Sequence, residues 1–255
     1  MSLVLYRKEG HIAYISLNRP ESRNAINRAI TRELAKTWVD FRDDDNLWVA
    51  ILSGEGKSFC AGADVKEMER GQWTWRQSLI YGDERIGPSN YRIWKPLIAA
   101  LHGHVYGAGL ILALECDIRV AAENALFGVP ESRVNVPFLF APFISDYVPQ
   151  AVAAELMFTA KPIDAQRAYQ FGLVNKVVPG GQLMPAAISV AEEICENGPL
   201  SIRASKELLH RCRDMDYDSA LTLVEHIAPP VFNAEDSIEA KRAFIEKRKP
   251  EWKLR

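Results

Sequence analysis

Cysteine is scarce and scattered. The four thiols among 255 residues, Cys60, Cys116, Cys195 and Cys212, show no CxxC spacing, which argues against a disulfide framework or a zinc knuckle and for free thiols in a reducing compartment. Long apolar runs are missing too. Leu97–Leu101 and Leu110–Leu114 are separated by glycines and histidines, and neither approaches the ~20 residues of a membrane helix. Met1–Tyr6 meets charge at once, so no secretory leader is expected. It also lacks the Arg- and Ser-rich look of a transit peptide, and a cytoplasmic protein is expected. Neither sign of charge dominates. A formal net charge of −2 points away from nucleic acid or an anionic membrane as main partner. His102 and His104 flank Gly103, but two histidines on one strand face without a third ligand do not make a metal site, and no metal is expected.

What is present is an ordinary globular balance, long enough for a large core. Val4–Glu9 and His11–Leu17 alternate around Glu9-Gly10, which predicts a hairpin. Ile30, Leu34, Trp38 and Phe41 recur at helical spacing between Asn27 and Arg42. Strands are predicted at Leu47–Leu52, Lys95–Leu101 and Asp117–Ala121, and helices at Asp64–Met68 and Gly109–Leu114. The alternation argues for an α/β core. From about Ala151 the chain reads as helical: Ala151–Phe158, Asp164–Phe171, Leu183–Asn197, Ser201–Arg213, Tyr217–His226 and Ser237–Lys247. The segment between Glu69 and Trp94 is rich in aromatics, with Trp73, Trp75, Tyr81 and Tyr91, and gives no clear element.

Two short stretches carry the chemistry. Ser58-Phe59-Cys60-Ala61-Gly62-Ala63-Asp64 and Gly103-His104-Val105-Tyr106-Gly107-Ala108-Gly109 are built of small residues, each opening a helix. A ligand can approach such backbone closely, and two loops of this kind can aim two amide N–H groups at one oxygen. Glu131, in Phe127-Gly128-Val129-Pro130-Glu131-Ser132, offers a carboxylate to move a proton nearby. Gly107-Ala108-Gly109 is no dinucleotide fingerprint, since it lacks the early βαβ position and the acidic residue about 20 positions on.

In order and spacing these stretches resemble the crotonase superfamily, the enoyl-CoA hydratase/isomerase family. The resemblance begins at Asn18-Arg19-Pro20 and Asn24-Ala25-Ile26-Asn27, passes through Lys95-Pro96-Leu97, and ends in Lys249-Pro250-Glu251-Trp252-Lys253. It implies a spiral of ββα turns with a helical C-terminal region: residues 1–195 as the core carrying the acyl-CoA site, residues 196–255 as an oligomerising part, and trimers or dimers of trimers. It also implies an oxyanion hole from the amides of Ala63 and Ala108 and a catalytic Glu131. Arg23, Ala25, Ala61 and Asp64 would hold CoA, and Gly107, Ile111 and Phe138 would line the substrate site. Lys247, Arg248 and Lys253 could reach CoA from a neighbouring subunit. Asp117 is expected to be structural. No cofactor beyond the CoA moiety of the substrate is implied.

Two departures bear on the reaction. Hydratases of the family usually carry a second glutamate where this chain has Ile111, which cannot hydrogen-bond a water. Glu115, one helical turn later, is expected to pair locally. Pro137-Phe138-Leu139-Phe140 replaces a glycine pair and makes the acyl pocket greasier. Single-glutamate chemistry, such as moving an enoyl-CoA double bond, is therefore slightly favoured over water addition. A hydratase and a non-catalytic acyl-CoA-binding protein are the alternatives.

Overall fold

The computed structural model describes residues 2–70 and 86–255; Trp73, Trp75 and Tyr81 lie outside the described residues. The hairpin is present as Val4–Glu9 (β1) and Ile12–Leu17 (β2). Arg28–Asp43 (α1) starts at Asn27, whose side chain accepts from the Ile30 amide, and buries the expected stripe of Ile30, Leu34, Trp38 and Phe41. Val49–Gly54 (β3) follows, then Val65–Glu69 (α2), capped by Asp64.

Leu97–Leu101 (β4), His104–Tyr106 (β5), Ala108–Leu114 (α3), Ile118–Ala122 (β6) and Leu126–Gly128 (β7) form the middle of the chain. Beyond Ala141–Ile144 (α4) and Gln150–Thr159 (α5) come Ile163–Asp164 (β8), Ala165–Gln170 (α6), Lys176–Val178 (β9) and Leu183–Cys195 (α7). Pro199–Arg211 (α8), Tyr217–Phe232 (α9) and Glu235–Glu246 (α10) complete the described helices. None of them is long and apolar enough to cross a membrane.

Six strands form one sheet in the order β1-β2-β3-β4-β6-β9, parallel except for β1 against β2. Both faces are covered, and the two-residue period of the strands decides which side chain goes where. Val49, Ile51, Ile98, Ala100, Val120 and Ala122 meet Leu183, Ala187 and Ala191 of α7. Ala50, Leu52, Leu97, Ala99, Leu101 and Ala121 turn to the other face, into the core that holds Trp38 of α1 and Leu112 of α3. β5, β7 and β8 form a second, small sheet.

The differences from expectation are local. β5, β7, β8 and β9 have three residues or fewer, too few for an alternating pattern to register. α9 continues past His226 through Pro229 and Pro230 to Phe232. Proline's fixed φ suits a helix, although each ring removes an amide donor and crowds the carbonyl four residues back.

Asn24 ties the first loops together. It is fully buried at φ +56, a left-handed conformation asparagine tolerates. Its Oδ1 accepts from the Arg19 amide at 2.8 Å, and its Nδ2 donates to the carbonyls of Glu55 (2.9 Å) and Ser58 (2.8 Å). Asn24→Ala orphans all three groups, and the expected loss is about 3 kcal/mol or more, read as a lower midpoint in urea unfolding.

Candidate active site

The segment from Phe59 to Asp64 runs between two neighbours. On one side Cys60 donates to the His104 carbonyl (2.9 Å) and accepts from the Tyr106 amide (3.0 Å). On the other, Ala61 donates to the Arg23 carbonyl (2.9 Å), and Ile26 bonds to the Gly62 carbonyl and the Asp64 amide, each at 2.8 Å. Ala63 is the residue bracketed by those last two bonds, so its own N–H faces away from Ile26. It lines a cavity of ≈ 280 Å³. Ala108, the first residue of α3, lines the same cavity and has no i−4 helical acceptor. Neither amide donates to a protein acceptor among the described residues. One wall thus holds two free donors, the second at the positive end of a helix.

Glu131 sits in the 3-10 turn Pro130–Val134 and lines the same cavity, its carboxylate lying against Gly107. Its Oε2 is shut off from solvent and has no hydrogen-bond partner. Burial pushes the carboxyl up to about 7 from the ordinary 4.5, with only a local backbone hydrogen bond opposing. Gly107, at φ +50 and ψ −117, turns the chain from β5 into α3. The positive φ calls for glycine, and a Cβ there would displace the Glu131 carboxylate, whose Oε1 lies against it.

The structure brings Ala61, Ala63, Gly107, Ala108, Ile111, Glu131 and Phe138 onto this one cavity. Arg23, Ala25 and Asp64 stand outside its lining. Arg23 is exposed, with its carbonyl bound to Ala61. Ala25 gives its carbonyl to Arg19 Nη1 at 3.2 Å. Asp64 spends its carboxylate on Arg19 (2.5 Å) and on capping α2, and its amide on Ile26.

Ile111 is buried on the cavity wall. Glu115 does pair locally, accepting from the amide and hydroxyl of Ser89 at 3.2 and 2.5 Å. Asp117 accepts from the Leu97 amide (2.8 Å) and pairs with Lys206 (2.7 Å), tying β4 to α8. Arg248 is held by Glu239 and Glu246.

Two residues escaped the sequence reading. Arg119, buried in β6, donates to the carbonyls of Cys116 and Leu173, both at 2.6 Å, and so closes the end of α3 opposite Ala108. Its signal was a lone charge inside an apolar strand. Arg133 lines the cavity beside Glu131; nothing in the sequence distinguishes it from a solvated arginine.

A model of the enoyl-CoA hydratase/isomerase family matches residues 7–255. A short-chain-enoyl-CoA hydratase of Clostridium acetobutylicum is 37% identical over 252 residues, 97% of this chain and 96% of its own. An (E)-benzylidenesuccinyl-CoA hydratase of Thauera aromatica is 36% identical, over 94% of each chain. The crystal structure of an enoyl-CoA hydratase from Mycobacterium tuberculosis H37Rv superposes with a TM-score of 0.91 at 35% identity, covering 99% of both chains. The chain belongs to the enoyl-CoA hydratase/isomerase family, within the crotonase superfamily; it has that fold and is an enzyme of lyase type. These relatives are named for hydration, which does not support the preference for double-bond migration drawn from Ile111.

The raised carboxyl has a consequence for stability. The folded state holds the Glu131 proton more tightly than the unfolded chain, whose carboxyl titrates near 4.5. Stability therefore falls as pH rises from about 4.5 through 7, by a deficit on the order of 3 kcal/mol. Glu131→Gln removes that deficit. The variant's advantage in urea midpoint should be small at pH 5 and grow by pH 8; a pH-independent gap would contradict the assignment.

Proposed function

We propose that the cavity receives the acyl end of a CoA thioester, that the amides of Ala63 and Ala108 hold its carbonyl oxygen as an enolate, and that Glu131 alone adds or removes water across C2–C3. The observation that supports this is a carboxyl whose Oε2 has no partner, poised near neutrality, in a cavity lined by two residues with unengaged amides. In hydration, the ionised Glu131 takes a proton from water as the hydroxide adds to C3. The π electrons pass through C2 to the thioester oxygen, where the two N–H groups stabilise the charge. The enolate then collapses, and C2 takes the proton back from Glu131. Dehydration is the reverse. One carboxyl both receives and returns the proton, so addition and loss occur on the face of the substrate that Glu131 occupies. A pKa of about 7 keeps both forms populated at neutral pH.

Ile111 favours a second reading. With no second carboxylate to hold the water, the same shuttle can move a proton between C4 and C2 and so shift a double bond. The test is to supply a 2-enoyl-CoA and a 3-enoyl-CoA in parallel and weigh the products. A gain of one water on the 2-enoyl substrate is expected; isomerisation without mass change would select the second reading. Glu131→Gln should lower turnover by about 10²–10⁴-fold while CoA thioester still binds. Ala108→Pro places proline where a first helical turn accepts it but deletes the donor, with an expected loss of about 10²–10³-fold. A Glu131→Gln variant of undiminished turnover would sink the mechanism.

Residues 196–255 are proposed to join copies of the chain. Phe232, Phe244 and Ile245 stand 70%, 85% and 79% exposed there. Gel filtration at a multiple of the chain mass is expected, and a monomer would refute the assignment.

A further inference from the structure

Among the described residues, one cation stands on the cavity wall. Arg133 follows Glu131 by two residues on the same 3-10 turn, and apart from these two every described residue lining the cavity is apolar or glycine. On a turn of about three residues, side chains two apart diverge, so the guanidinium and the carboxyl do not pair. Arg133 Nη2 donates to the Ala160 carbonyl at 2.7 Å, at the left-handed end of α5. The guanidinium has no other hydrogen bond or ion pair among the described residues. Its charge also bears on the Tyr106 phenol, as does that of Arg23.

Capping a helix end needs one donor. Arg133 is exposed, so the guanidinium leaves four more donors and a full charge open to a ligand beside an apolar cavity. That fork matches a carboxylate or a phosphate in a bidentate geometry. We infer that Arg133 is the residue through which this cavity selects substrates carrying an anionic oxygen group, either a carboxylate on the acyl chain or a phosphate of CoA. The inference rests on the acyl-CoA reading above.

Four thioesters separate the two sources: the glutaconyl group and its methyl ester, each on CoA and on pantetheine, which carries no phosphate. Arg133→Gln keeps an N–H for the Ala160 carbonyl and removes the charge; Arg133→Lys keeps the charge and loses the fork. The wild type should prefer the anion-bearing thioester through KM rather than kcat. Arg133→Gln should reduce that preference about tenfold, the scale of one charge-assisted hydrogen bond, and Arg133→Lys should restore part of it. A drop in the carboxylate-to-ester ratio identifies the acyl carboxylate; a drop in the CoA-to-pantetheine ratio identifies the phosphates. The wild-type preference should also weaken with rising salt, a readout that needs no variant to fold. If both ratios are the same in wild type and Arg133→Gln, or are insensitive to salt, Arg133 only caps α5 and the inference is overturned. If the wild type binds none of the four by calorimetry, the acyl-CoA reading falls and takes the inference with it.

Discussion

The site depends on a seam of backbone hydrogen bonds between Phe59–Cys60 and the strand β5. Phe59 donates to the His102 carbonyl at 2.8 Å, Cys60 to that of His104 at 2.9 Å, and Tyr106 to that of Cys60 at 3.0 Å. Each bond is worth only about 1 kcal/mol net. Their shared effect is geometric, because they fix two distant loops in register and leave the amides of Ala63 and Ala108 on one wall. Gly109 lets α3 close on the seam, since a Cβ there would stand 2.5 Å from that of Cys60. The seam continues sideways, with Gly107 donating to the Gly128 carbonyl at 3.0 Å. That bond ties the turn into α3 to β7, two residues before the turn that carries Glu131. Amide, amide and carboxyl are therefore linked through hydrogen-bonded main chain rather than through flexible side chains.

The electrostatics follow from what this frame excludes. α3 is buried along its whole length, so its free N-terminal donors act in surroundings of low polarity, where they count for more than in water. Its other end is not left open, because Arg119 meets the carbonyl of Cys116 there. The buried guanidinium is satisfied by main-chain oxygens instead of a carboxylate. No counter-ion there thus competes with the anion proposed to form at the N-terminal end. Glu131 shows the complementary condition. Its carboxyl makes no ion pair among the described residues, and its proton affinity is set mainly by desolvation. The burial that would ready the group for the proposed proton transfer weakens the fold once the carboxyl ionises.

How much of this could be read in advance varied with the physical signal. α1 was legible because Ile30, Leu34, Trp38 and Phe41 repeat a helical period and all go to the core. The buried strands were legible as short apolar runs. The small-residue loops marked the site, because only small side chains allow such close backbone approach. The direction of an amide was not legible: it depends on angles such as φ +50 at Gly107, not on residue identity. Phe138 was expected at the substrate site from the resemblance alone, since the short segment up to α4 has no usable period to separate it from Phe140 and Phe143. Phe138 lines the cavity; Phe140 packs between it and Phe143.

The C-terminal helices obey a different constraint from the core. α9 has an amphipathic sequence of 16 residues, yet none of them is buried. A helix of that length is marginal in water on its own and takes its stability from packing an apolar face. Its contacts with α8 supply part of that, but α10 ends in Phe244 and Ile245, both turned to solvent. Apolar surface of this extent is not explained by the needs of the cavity, which lies within the 61–139 segment. It is explained if the chain's full apolar burial is reached only in an assembly, with folding of this region and association of copies as one process.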